Sequence, residues 1–135
     1  MFKIIIFIIS LSPAIALSME KAHNHNSHNH DHSSMTNVDG SNFDMPEKMF
    51  SDFTSSLTDA QIAIVNVKGM VCDFCARGIE KTFYQDDTVK KVLVSLEKGK
   101  VLIAYSSNKK IDKNEIKNIF LDNGQTATDI TIRKI

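Results

Sequence analysis

Cys72 and Cys75, in "GMVCDFCARGIEKTF" (residues 69–83), are the only two cysteines of the 135-residue chain. Two thiols separated by two residues can serve four chemistries: a structural disulfide, a thiol–disulfide exchange couple, half of a zinc site, or a two-thiolate clamp for a soft metal ion. A bridge closing so short a loop removes little chain entropy, which argues against a purely structural disulfide. A structural zinc site needs four ligands, and no histidine follows His32. Thiol exchange is favoured beside a helix N-terminus, where thiol pKa falls. Thioredoxin-like folds, however, set a cis-proline against the active pair, and the two prolines here, Pro13 and Pro46, both precede the segment. A two-thiolate clamp suits Cu(I) and other thiophilic ions and rejects hard ones, and a helix N-terminus beneath it offsets the bis-thiolate charge. The clamp is the leading expectation and thiol exchange its alternative. Met70 is expected to plug the core beneath the loop rather than to bind the ion.

A second group of ligating residues lies far upstream. His23, His25, His28, His30 and His32 are the five histidines of the chain and fall within "HNHNSHNHDH". Neutral imidazoles suit Cu(II), Ni(II) and Zn(II), so this tract is expected to capture borderline ions while the cysteines take a thiophilic one.

The N-terminus bears on where this chemistry takes place. Lys3 precedes an apolar run from Ile4 to Leu17, broken only by Ser10, Ser12 and Pro13, with an A-x-A arrangement at Ala14–Ala16 near its end. That is the layout of a cleaved secretory signal over residues 1–18, because about 14 largely apolar residues fall short of the roughly 20 that span a bilayer. The expected location is periplasmic or secreted. Residues 19–59 are rich in Ser, Asn, Asp and His without a sustained apolar period, and are expected to form a His-rich disordered leader. Residues 60–135 carry strand and helix periods and are expected to be one folded domain. Formal charge is zero overall. It divides into +1 on residues 1–18 (Lys3), −5 on residues 19–59 (two Lys against seven acids) and +4 on residues 60–135 (thirteen Lys and Arg against nine acids). Basic residues such as Lys90, Lys91, Lys109 and Lys110 lack interleaved aromatics, which gives nucleic-acid binding little support. A monomer is expected.

The elements that must position the cysteines follow from apolar spacing. "AQIAIVNVKG" (60–69) reads as a strand with apolar residues on both faces. Ala76, Ile79 and Phe83 form one stripe of a helix. Val92, Val94 and Leu96, a turn at Glu97-Lys98-Gly99, and Val101, Ile103 and Tyr105 read as a β-hairpin. Asp112 and Glu115 form a capping-box pattern at the start of a second helix, with Ile111 and Ile116 placed as a staple. Asn123-Gly124 ends that helix, and "TATDITIRKI" is the last strand. The order βαββαβ predicts an α+β, ferredoxin-like fold, a four-stranded antiparallel sheet with two helices on one face. In that topology residues 69–75 face Gly124 and Gln125.

With "IVNV" before it and "VKKVLVSLEKGKVLIAY" after it, the "GMVCDFC" segment resembles the heavy-metal-associated domain family, of G-M-x-C-x-x-C type. The family includes copper chaperones, N-terminal domains of metal-pumping ATPases and the periplasmic mercury-binding protein. The resemblance covers residues 60–135 and implies a non-enzymatic protein whose paired Cys72 and Cys75 bind Cu(I), with Hg(II) as runner-up. It also implies a metal-transporting membrane protein as partner. Such domains commonly carry an aromatic residue or a lysine in the loop facing the ion, where this chain has Gln125.

Overall fold

The computed structural model describes residues 38–135. The signal segment 1–18, the histidine tract 23–32 and the rest of the leader up to residue 37 lie outside the described residues. The element order is β1 (Val38–Asp39), a single 3-10 turn (Gly40–Asn42), α1 (Glu47–Thr54), β2 (Ala60–Met70), α2 (Asp73–Phe83), β3 (Val89–Ser95), β4 (Lys100–Ser106), α3 (Lys113–Asp122) and β5 (Thr126–Lys134). Three α-helices and one five-stranded antiparallel sheet make this an α+β structure.

β2 is the spine of the sheet. On one side Gln61 to Lys68 pair with Lys134 to Thr126 of β5, with a bulge between Asn66 and Val67. On the other side Ala60 to Asn66 pair with Ser106 to Lys100 of β4, and β3 pairs with the far side of β4. β1 takes the position beyond the start of β4, with Val38 opposite Met70 and Asp39 opposite Lys68. The main strands therefore run in the order β5, β2, β4, β3, and the chain enters the sheet beside the end of β2 that leads into the cysteines.

Strand alternation sends successive side chains to opposite faces, and here both faces are apolar. Ala63, Val65 and Val67 of β2, with Val101, Ile103 and Tyr105 of β4, meet Ile79 and Phe83 of α2 and Ile116 and Phe120 of α3. The rings of Phe83 and Phe120 lie 5.6 Å apart and lock the two helices together. Asp112 caps α3 by accepting from the amide of Asn114 at 2.8 Å. Glu115 does not complete the expected capping box, because among the described residues its carboxylate takes no hydrogen bond. The helix ends in a Schellman motif, Gly124 N–H donating to Leu121 O and Gln125 N–H to Phe120 O, each at 2.9 Å.

Two features depart from the expected four strands with two helices on one face. A fifth strand, β1, extends the sheet, and a third helix, α1, covers its opposite face. Both come from residues 38–54, a stretch whose average composition suggests no packing. The physical reason is a stripe that the average hides. Met45, Met49, Phe53 and Leu57 recur every four residues and, with Phe50, pack on Ala60, Ile62, Ile64, Leu93, Leu102 and Ala104. Cations from the sheet complete the contact: Arg133 lies 5.1 Å from the centroid of the Phe50 ring, and Lys91 lies 5.0 Å from that of Phe53. Lys91 Nζ also donates to Phe53 O at 2.8 Å, at the carbonyl end of α1 where a positive charge is favoured. Among the described residues no helix is long and apolar enough to cross a membrane.

Candidate metal centre

β2 ends by turning out of the sheet. Gly69 adopts φ +96°, a region that side chains rarely enter, and the turn lets Met70 drop into the core at 1% exposure. Met70 packs in the same cluster as Ile79 and Phe120, as a plug beneath the loop. Val71 then faces outward, and Cys72 occupies the N-cap of α2 in extended geometry. Its carbonyl accepts from the amides of Cys75 and Ala76 at 3.1 and 3.3 Å, which starts the helix.

The sulfurs of Cys72 and Cys75 lie 3.0 Å apart in a thiol–thiol contact, both free and half-buried. They are chemically unequal. The thiol hydrogen bond from Cys75 lowers the pKa of Cys72, helped by the first-turn amides of Cys75 and Phe74 and opposed by burial and by Asp73. Donation of its proton to Cys72, burial and the charge on Cys72 raise the pKa of Cys75, with the backbone at Val71 and the amide of Gln125 acting the other way. The two thiols therefore titrate as a coupled pair, with Cys72 the more acidic of the two. The space between the two sulfurs is where a soft cation bridging two thiolates would sit. With metal–sulfur bonds of about 2.3 Å, two ligand sulfurs stand roughly 3.8 Å apart at a tetrahedral angle and roughly 4.6 Å apart in a line. The pair must therefore open by about 1 Å or more to admit an ion.

The loop after α3 forms the opposite wall, as the element order requires. A Cβ placed on Gly69 would lie 3.7 Å from Gln125 Cα and 3.7 Å from Gly124 O. Gln125 itself is 3% exposed. Around the sulfurs, Val71 is 42% exposed and Phe74 85% exposed, the largest exposure among the bulky apolar residues described. Spacing alone gave these two no role. Their apolar character beside the two cysteines was the available signal, and their exposure marks the thiol end as a surface able to meet another molecule.

Among the described residues no group of three or more His, Cys, Asp or Glu side chains gathers to hold a metal. A site at Cys72 and Cys75 thus has two charged donors, which suits low-coordinate thiophilic ions rather than a closed four-ligand zinc site. His23, His25, His28, His30 and His32 lie outside the described residues. Comparisons with protein-family models, with curated proteins and with solved structures return no match.

Proposed function

We propose that this protein binds one thiophilic ion, Cu(I) first and Hg(II) second, between Cys72 and Cys75, for sequestration or for delivery to a metal-transporting membrane protein. The observation that carries the reading is the pair of free thiols in contact, 3.0 Å apart at the start of α2. The strand order β5, β2, β4, β3, with α2 and α3 as the crossovers, supports a ferredoxin-like core over residues 60–135 carrying an added strand and helix. The same arrangement supports membership of the heavy-metal-associated family. Transfer proceeds by ligand exchange: a partner thiolate enters as Cys72 or Cys75 leaves, so that the ion stays low-coordinate throughout. The exposed Val71 and Phe74 supply an apolar rim on which such a partner can seat. In this reading the protein is exported, to the periplasm or beyond, and its histidine tract captures Cu(II), Ni(II) or Zn(II). It has no catalytic turnover.

Chelator competition with Cu(I) tests the reading. The reduced protein should take one Cu(I) at the thiols, and Cys72→Ser or Cys75→Ser should each weaken it severely. Tight Cu(I) binding by the double serine variant, measured with the five histidines replaced by asparagine, would refute the clamp.

The same contact favours a second reading, thiol–disulfide exchange, since Cys72 is the more acidic thiol and its partner is within reach. An insulin-reduction assay separates the two. Turnover comparable to thioredoxin would put this reading first.

A further inference from the structure

The described residues include two buried glutamines, and they differ in one respect. Gln61, 9% exposed, donates its amide to the carbonyls of Ser107 and Lys109 at 2.8 and 2.7 Å. Gln125 is buried more deeply, at 3% exposure, yet its Oε1 is the one buried side-chain nitrogen or oxygen among the described residues with no hydrogen-bond partner. Leaving a buried amide oxygen unpaired costs about 1–3 kcal/mol, and buried polar groups are otherwise almost always satisfied. The position of this one matters. Gln125 forms the wall opposite Gly69, and its amide lies against Cys75.

The main chain of Gln125 is fixed by the Schellman bond to Phe120 O, whereas its side-chain amide reaches Cys75 through one end and leaves Oε1 without a partner. The terminal torsion of a glutamine is soft, so the amide can turn its oxygen toward the sulfurs by giving up the contact of its N–H with Cys75, a bond that a metal on the thiolate would itself displace. An acceptor with free lone pairs, withdrawn from water and beside two thiolates, is satisfied by a cation held at those thiolates.

We infer that Gln125 is the third donor of the Cys72–Cys75 site, its amide oxygen closing on the bound ion and admitting borderline ions such as Zn(II) and Cd(II). The inference rests on the metal-binding reading of the pair. Two sulfurs alone satisfy a two-coordinate ion such as Cu(I). Zn(II) and Cd(II) require more donors, and two sulfurs, one oxygen and an open position reproduce the three-ligand pattern of exchangeable zinc sites. Gln125 then sets which ions the site accepts, while the cysteines set how tightly it holds soft ones.

The test uses the full-length chain with the five histidines replaced by asparagine, so that only the thiol site titrates. Cd(II) and Cu(I) competition titrations are compared for the parent, Gln125→Leu and Gln125→Glu. Gln125→Leu should weaken Cd(II) by about 10- to 100-fold and Cu(I) by no more than about threefold. Gln125→Glu, which keeps an oxygen donor, should restore Cd(II). In the parent, Cd(II) should also shift the 13C resonance of Gln125 Cδ, an observation that needs no variant to fold. Equal losses for both ions, unchanged Cd(II) binding by Gln125→Leu, or an unmoved Cδ resonance would overturn the inference. The double serine variant separates the two claims. If it still binds Cu(I), the reading of the cysteines fails. If Cu(I) requires the cysteines while Gln125→Leu treats both ions alike, only the role of Gln125 fails.

Discussion

The two faces of the sheet are built from the same strands but closed in different ways. The first is covered by α2 and α3, which are tied to the strands by short connections and to each other by the Phe83–Phe120 contact. The second is covered by α1, an eight-residue helix that arrives before the sheet in the chain and is held by Phe50, Phe53 and two cations. A helix that short is marginal by itself. It forms because the face of Ile62, Ile64, Leu102 and Ala104 is there to receive it. An apolar strand face therefore requires a cover even where the local composition of the chain does not announce one.

Removing residues 1–59 should have the largest effect, because it bares the second face. Residues 60–135 alone should lose cooperative unfolding or aggregate, as calorimetry and sedimentation would show. Within the full chain, Phe53→Ala and Phe120→Ala should each cost about 3–5 kcal/mol in denaturant unfolding, one core residue from each face. If α1 were only loosely attached, Phe53→Ala would instead fall within the roughly 0.5 kcal/mol of an ordinary surface change.

A smaller effect is expected at the strap that leads to α1. A Cβ on Gly40 would lie 2.0 Å from Gly99 O and 2.8 Å from Val67 N, all backbone atoms. Gly40→Ala should therefore push β1 and the 3-10 turn off the sheet at about 1–3 kcal/mol, with amide exchange accelerating in residues 38–42 before it does in α3. Uniform acceleration would mean that the strap and the main sheet open as one unit.

The smallest effect concerns the first face. Asp86 accepts from Lys109 at 2.8 Å and from Thr88 Oγ1 at 2.6 Å. These bonds, Lys109 first, hold its pKa down to about 2. A depressed carboxylate pKa stabilises the fold above the ordinary value near 3.8, and that contribution is lost as pH falls toward about 2. Wild-type stability should decline over that window more steeply than that of Asp86→Asn in paired acid titrations. Parallel curves would show that the pair contributes nothing.

The core elements were legible because their apolar residues repeat within single segments: Ile79 and Phe83 on α2, the alternation through β3 and β4, and the Asp112 cap with the Asn123-Gly124 stop on α3. The facing of Gly69 and Gln125 followed from connectivity alone. The second face was harder to read. Met45, Met49, Phe53 and Leu57 do repeat at helical spacing, but they are diluted by Ser and Asp and sit next to a histidine-rich stretch that dominates the composition. The clue lay elsewhere, in the apolar residues on both faces of β2, whose second set had no assigned cover. At the thiol site the cysteines declared themselves by spacing. The unpaired oxygen of Gln125 could not, because hydrogen-bond satisfaction belongs to the folded state and has no signature in a single residue type.

The contact between Phe83 and Phe120 also divides stiffness unequally around the cysteines. Cys75 rides on the first turn of a helix clamped to its neighbour, while Cys72 sits at the N-cap, joined through the exposed Val71 to the buried Met70. Were the sulfurs to part to admit an ion, the displacement would fall on the less tethered side, and Cys72 would move as a jaw against a fixed anvil. The opening travel would then be set by Val71 and Cys72, between the buried Met70 on one side and the first turn of α2 on the other.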